Sequence, residues 1–187
     1  MDPLVAFAIC IAAFHLSEYF LAFIYQREDL SASSFLFSKD YGIAMVAGVA
    51  EYVLEWLLIP QSKANKAVFF CGLTMVVAGE LIRKAGMITA GSNFTHELKM
   101  QKREGHTLVR TGIYSYVRHP GYLGWFVWAI GTQVMLSNPI CTCGFYFVSS
   151  RFMKERIRIE EEYLRSFFGE AYRTYAARVP VLIPFLP

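Results

Sequence analysis

The chain has 187 residues, of which 55% are hydrophobic and only 18% charged. Soluble domains carry about 25% charged residues, so this composition excludes an ordinary water-soluble fold, and a net charge of +3 is too small to point to a nucleic-acid partner. The four cysteines, Cys10, Cys71, Cys141 and Cys143, lie in apolar stretches and form no CxxC pair, so neither a metal site nor a disulfide framework follows.

The chain opens Met1-Asp2-Pro3 with no basic segment ahead of the first apolar run, and no cleaved signal peptide is expected. Apolar blocks follow at 4–25, 41–59 and 67–82, the third a little short. A fourth block, 122–152, is interrupted by Ser137-Asn138-Pro139. Proline lacks an amide donor and restricts the residue before it, so the interruption predicts a tight turn and makes the block a helical hairpin. Runs of about 17 residues or more suffice to cross a bilayer as helix. The predicted fold is therefore an all-α integral membrane protein of about five transmembrane helices, the last two a hairpin. It forms a single domain over 1–187, with three spans in 1–85, a connector at 86–120, the hairpin at 121–158 and C-terminal helices at 159–187.

Basic residues set the orientation. With five spans, 16 of the 18 lysines and arginines fall on one side, and only Lys63 and Lys66 on the other. The richer side is assigned to the cytosol, which puts the connector and the C-terminal segment there. Asn93-Phe94-Thr95 matches the N-glycosylation acceptor pattern, and in this orientation it carries no sugar.

Five ionisable side chains fall inside the first three blocks: His15, Glu18, Glu51, Glu55 and Glu80. Such groups are costly in a bilayer. His15 with Glu18, and Glu51 with Glu55, share helix faces. Two readings stand: hydrogen bonding within a packed bundle, or the proton or ion path of a small transporter. The absence of an internal repeat disfavours a transporter.

Chemistry concentrates in two clusters. The first, 105–124, holds His106, Tyr114, Tyr116, Arg118, His119 and Tyr122 close to the start of the fourth block. Pro120 suits a first helical turn, whose free amides bind anions, while the aromatic rings can bracket a cation. An interfacial belt of aromatic and basic residues is the plainer reading. The second cluster, 151–169, reads as the fifth span continuing into the cytosol until Gly169 stops it. Arg156, Glu160 and Tyr163 share one stripe of that helix, either as part of a site or, for Arg156 and Glu160, as a surface ion pair.

Together these clusters resemble the isoprenylcysteine carboxyl methyltransferase family. The resemblance covers roughly the last hundred residues. It runs through Ser92-Asn93-Phe94-Thr95-His96, His106-Thr107-Leu108-Val109, Gly112-Ile113-Tyr114 and Arg118-His119-Pro120-Gly121-Tyr122. It continues with Gly131 to Leu136, Asn138-Pro139, Glu160-Glu161-Glu162, Phe167-Phe168-Gly169 and Arg178-Val179-Pro180. The arginine-histidine-proline element alone is also found in phospholipid N-methyltransferases and sterol reductases, which are the neighbouring readings; the combination is what distinguishes them.

The resemblance implies S-adenosylmethionine (S-adenosyl-L-methionine) as cofactor. It implies as substrate a CaaX-processed protein, such as a small GTPase, ending in an S-prenylated cysteine with a free carboxylate. It implies residence in the endoplasmic reticulum membrane with the active site toward the cytosol. The family's cofactor contacts map onto Lys99, His106, Thr107, Leu108, Val109, Tyr114, His119, Pro120, Gly121, Tyr122 and Glu160, and its substrate-binding arginine onto Arg156. Arg156 and Glu160 are thus the expected catalytic pair. Gly121 departs from the serine common at its position, and eukaryotic members are usually longer at the N-terminus. This chain resembles a short member or a shortened form.

Overall fold

The computed structural model describes residues 1–27, 30–96, 101–102 and 105–184. Among these there are six α-helices, a few short 3₁₀ turns and no strand. The helices are α1 (Pro3–Tyr25), α2 (Lys39–Leu58), α3 (Lys66–Ala90), α4 (Pro120–Met135), α5 (Pro139–Phe168) and α6 (Glu170–Ala176). Their ends follow from local chemistry. Asp2 accepts from the amides of Leu4 and Val5 ahead of Pro3, Ser38 caps α2 and Asn65 caps α3. Gly91 at φ +55° and Gly169 at φ +54° end α3 and α5 in a backbone conformation that favours glycine.

The hairpin turn expected at Ser137-Asn138-Pro139 is present: α4 stops at Met135 and α5 starts at Pro139. Two helices run further than hydropathy alone suggests. α3 continues to Ala90, eight residues past the apolar block that ends at Ile82. α5 is 30 residues long, or about 45 Å at about 1.5 Å per residue, longer than the roughly 30 Å hydrocarbon core of a bilayer.

α3 and α4 pack antiparallel with their backbones nearly touching. Gly72, Gly79 and Gly86 recur every seventh residue on α3, and Gly124 and Gly131 do so on α4. A Cβ at Gly79 would lie 2.5 Å from the Trp128 amide nitrogen, and one at Gly124 2.5 Å from that of Arg83. Small residues at such spacing are how helices approach closely in lipid, where apolar burial gives little drive to associate. Phe14 of α1 stacks on Trp128 at 4.1 Å between ring centroids, completing a core with Val76 and Ala129.

α2 docks on α5 through polar contacts. Both oxygens of Glu51 accept from the first turn of α5, at 2.7 Å from the Ile140 amide and 2.6 Å from that of Cys141. Asn138 Nδ2 donates to the Gly48 carbonyl at 2.8 Å. At the same end, the buried Lys63 ammonium reaches Glu55 at 2.5 Å and the carbonyls of Leu136 and Ser137 at 3.1 and 2.9 Å. It thereby serves the exposed carbonyl end of α4, where a cation is favoured. Glu80 accepts from Ser17 at 2.8 Å. His15 sits between the Phe35 carbonyl, at 2.6 Å, and the Tyr41 hydroxyl, at 2.8 Å. The intramembrane ionisable groups therefore join helix to helix, as the bundle reading holds.

The exterior is apolar. Leu16, Phe20, Val46, Leu57, Leu58, Leu81, Phe147 and Val148 are all exposed. Among the described residues, α1 and α2 are by length and composition able to cross a membrane. The far end of α5 leaves this apolar body and is covered by α6 and the irregular C-terminal segment that follows it. Met153 and Ile157 pack there with Val181 and Ile183, and Tyr172, Tyr175 and Val179 form a second small core.

Candidate active site

α4 begins where α3 ends, because the glycine-lined contact between them is antiparallel. α5 returns along the same end and passes in front of Tyr122. Two helices, α4 and α5, so bring three polar side chains together. Arg156 Nε donates to the Tyr122 hydroxyl at 2.9 Å, and that hydroxyl donates to Glu160 Oε2 at 2.5 Å. Arg156 Nη2 donates to the His96 carbonyl at 2.5 Å, and the guanidinium lies 5.8 Å from the centre of the Tyr122 ring. Arg156 and Glu160 are one helical turn apart and are linked through tyrosine.

The adjacent carboxylates Glu160 and Glu161 have different tasks. Glu161 is 6% exposed. It accepts from Arg118 Nε at 2.9 Å and Arg165 at 2.8 Å, with His119 Nε2 at 3.3 Å. Burial pushes its pKa up, but the His119 hydrogen bond and the Arg118 charge outweigh that and hold it at about 2. Arg118 also donates to the carbonyls of Ala176 and Val179, at 2.7 and 2.8 Å, and so ties α6 to the start of α4. Glu161 and Arg118 are a structural pair. Glu160 keeps one third of its side chain exposed, with His119 Nδ1 at 3.7 Å.

In front of Glu160 lies a cavity of about 1100 Å³. His106, Thr107, Leu108, Val109, Tyr114, His119, Pro120, Gly121, Tyr122, Arg156 and Glu160 all line it. Lys99 lies outside the described residues. Tyr116 does not line the cavity; it is 75% exposed. Aromatic rings form part of the cavity wall. His106 packs edge-on to Phe168, at 5.3 Å, and Phe167 leans on Tyr163. The Tyr114 carbonyl accepts from the Tyr175 hydroxyl at 2.6 Å, and burial raises the pKa of the Tyr114 phenol. The Thr107 amide donates to Asn93 Oδ1 at 2.9 Å, which holds the 106–109 segment over the end of α3. At Gly121 the Phe94 ring edge stands 2.8 Å from where a Cβ would be, so a side chain here would have to displace the ring.

The same cavity has an apolar lining as well: Tyr41, Ala44 and Ala47 of α2 and Phe145, Val148 and Phe152 of α5. Sequence alone singled out neither this apolar lining nor Arg83 beneath the site; Glu18 stood out only as an ionisable group within the first apolar block and His96 only within the family resemblance. Glu18, Arg83 and His96 form a buried ion cluster whose members are 65 residues apart in the case of Glu18 and Arg83. The available signal was charge at the end of the third apolar block.

Known proteins resemble this chain in both sequence and fold. Residues 72–166 match the model of the isoprenylcysteine carboxyl methyltransferase (ICMT) family. Protein-S-isoprenylcysteine O-methyltransferase B of Arabidopsis thaliana is 46% identical over 179 residues, which is 95% of this chain and 91% of that protein. This chain belongs to the isoprenylcysteine carboxyl methyltransferase family. Protein-S-isoprenylcysteine O-methyltransferase of Homo sapiens is 44% identical over 178 residues, covering 94% of this chain and 63% of that protein. A solved structure of the eukaryotic intramembrane Ras methyltransferase, isoprenylcysteine carboxyl methyltransferase, superposes with a TM-score of 0.96 at 40% identity. It covers 98% of this chain and 67% of that one. Membership in the methyltransferase family separates the chain from the sterol-reductase and transporter readings, and makes the apolar exterior that of a membrane protein.

Proposed function

We propose that this protein methylates the C-terminal α-carboxylate of S-prenylated cysteine on CaaX-processed proteins, with S-adenosylmethionine as methyl donor. The observation that carries the reading is one cavity with two unlike sets of lining residues: the polar Arg156, Tyr122 and Glu160, and apolar side chains of α2 and α5. The donor set suits this cofactor. A part-exposed carboxylate, Glu160, meets its polar or cationic groups, and the faces of Tyr114, Tyr122 and Tyr163 suit a sulfonium. Thr107, Leu108, Val109 and the start of α4 from His119 to Gly121 complete its walls, with Lys99 as a further contact.

When bound, S-adenosylmethionine supplies a methyl group activated by positive sulfur. The substrate α-carboxyl has a pKa of about 3.5, so it is ionised at neutral pH and no side chain has to remove a proton. Arg156 grips that carboxylate with its planar fork, held in place by Tyr122 and His96. Glu160 orients the other reactant. The aromatic wall excludes water, and catalysis is positional.

The lipid explains the apolar lining. Each buried CH₂ contributes about 0.8 kcal/mol, so a prenyl chain remains in the hydrocarbon and approaches sideways between α2 and α5. The cofactor arrives from water. Five spans with the connector and C-terminal helices in the cytosol, in the endoplasmic reticulum membrane, let both routes meet at this cavity.

Purified protein incubated with labelled S-adenosylmethionine and N-acetyl-S-farnesylcysteine is expected to form a base-labile methyl ester. Binding of NADPH in place of S-adenosylmethionine, with no ester, would overturn the assignment.

A further inference from the structure

The most deeply buried charge in the bundle belongs to neither reactant's pocket. Glu18 of α1 has no solvent exposure. Its two oxygens accept from Arg83 Nε and Nη2, each at 2.7 Å, in a bidentate pair. Glu18 Oε2 also accepts from His96 Nε2 at 2.8 Å, and Oε1 accepts from the Lys84 ammonium. Lys84 lies 3.5 Å from Glu80 as well. Such clusters are costly to desolvate and are often replaceable by apolar packing without loss of stability, so packing alone gives no reason for this one.

Its outer ends supply the reason. Arg83 Nη1 donates to the Gly121 carbonyl at 2.8 Å, next to Tyr122. His96, held by Glu18 through its ring, offers its main-chain carbonyl to Arg156 Nη2 at 2.5 Å. Arg156 is thus anchored at Nε by Tyr122 and at Nη2 by His96, and among the described residues no protein acceptor takes Nη1. With Nε and Nη2 held, the Nη1 end of the guanidinium is left for the cavity, already oriented before a ligand arrives.

We propose that Glu18, acting through His96, is a positioning residue for Arg156, so that α1 governs binding of the substrate carboxylate without touching it. The inference rests on the assignment of Arg156 to that carboxylate. It implies a specific pattern: substrate binding falls, cofactor binding does not, and the effect runs through Arg156.

The test uses purified full-length protein, with initial rates against N-acetyl-S-farnesylcysteine and a separate binding measurement for S-adenosylmethionine. His96→Leu removes the ring donor and leaves Glu18 paired with Arg83 and Lys84. It is expected to raise KM for the prenylcysteine roughly tenfold or more, while the cofactor Kd stays within about twofold. His96→Gln, whose amide can reach the same carboxylate, should recover most of the loss; His96→Asn, too short to do so, should not. In an Arg156→Ala background, His96→Leu should add nothing further, because residues that act as one unit are not additive. Unchanged KM in folded His96→Leu and His96→Asn, or an effect that adds fully to Arg156→Ala, overturns the proposal. Should His96→Leu not fold, the contrast between Gln and Asn still decides it. An Arg156→Ala protein with normal KM instead removes the underlying assignment of Arg156.

Discussion

Arg156 and Glu160, one helical turn apart on α5, are joined by a single hydroxyl: that of Tyr122 accepts from the arginine at 2.9 Å and donates to the carboxylate at 2.5 Å. This arrangement differs from the surface ion pair that their spacing allows. An ion pair would satisfy both charges with each other. A tyrosine between them spaces the guanidinium from the carboxylate and leaves each with capacity toward the cavity. In the proposed function, each end of this α5 stripe meets its own reactant.

Substitution of Arg156 is expected to damage one reactant's binding alone. Lysine is a point charge on a flexible stem and lacks the planar fork, so Arg156→Lys should not rescue Arg156→Ala. A lost hydrogen bond to a charged group costs roughly 1.5–3 kcal/mol, or about tenfold to over a hundredfold in kcat/KM. Methyl-transfer rates and cofactor affinity measured on both variants check this; near-normal turnover in both would take Arg156 out of the site.

Glu160→Gln should weaken S-adenosylmethionine binding by about tenfold, the scale of one charge-assisted hydrogen bond, with the fold intact. The carboxylate is one third exposed, so its loss leaves no buried cation stranded. Equilibrium binding of labelled cofactor reads the effect, and an unchanged dissociation constant would count against the role.

Glu161 predicts the opposite: stability rather than ligand affinity. Its folded pKa, about 2, is below the ordinary 4.5. Its contribution is therefore complete above about pH 4.5 and disappears as pH falls toward 2. Glu161→Gln strands Arg118 and should destabilise by roughly 3–5 kcal/mol at neutral pH. Thermal unfolding in detergent should show the gap between variant and wild type at pH 7 and its narrowing at pH 3; a gap independent of pH would contradict the pairing.

The α3–α4 contact admits no added methyl. Gly124→Ala would place a Cβ 2.5 Å from backbone atoms of Arg83 and Gly79, so the helices must separate. Loss of folded protein on size-exclusion chromatography is the expected result. Gly144→Ala, where a Cβ meets nothing within 4 Å, is the control and should behave as wild type.

Orientation is tested from both faces. Glu170→Cys, at the start of α6, should react with an impermeant thiol reagent from the cytosolic side, and Gln61→Cys from the opposite one. Asn93 should carry no sugar, and its side chain is already engaged by the Thr107 amide at 2.9 Å. A glycan on Asn93 in cells would reverse the assignment.

Much of this protein was legible without coordinates, for a physical reason: in lipid, long apolar runs must be helical. The ends of α1, the turn at Ser137-Asn138-Pro139 and the stop at Gly169 follow from that rule and from capping chemistry. So do the two polar clusters, because Arg156, Glu160 and Tyr163 share a helix face by spacing alone, and their place in a family rests on side-chain identities in order. What sequence could not supply was contact between distant positions. Nothing local tells that Glu160 faces the cavity while its neighbour Glu161 is consumed by Arg118, or that Tyr122 reaches between Arg156 and Glu160. The glycines at sevenfold spacing on α3 show their purpose only against α4. Glu18, Arg83 and His96 lie on three separate segments, and only the packing of α1 beneath the connector places their charges within hydrogen-bonding reach. Periodicity is written along one chain segment; partner choice depends on which segments the fold brings together.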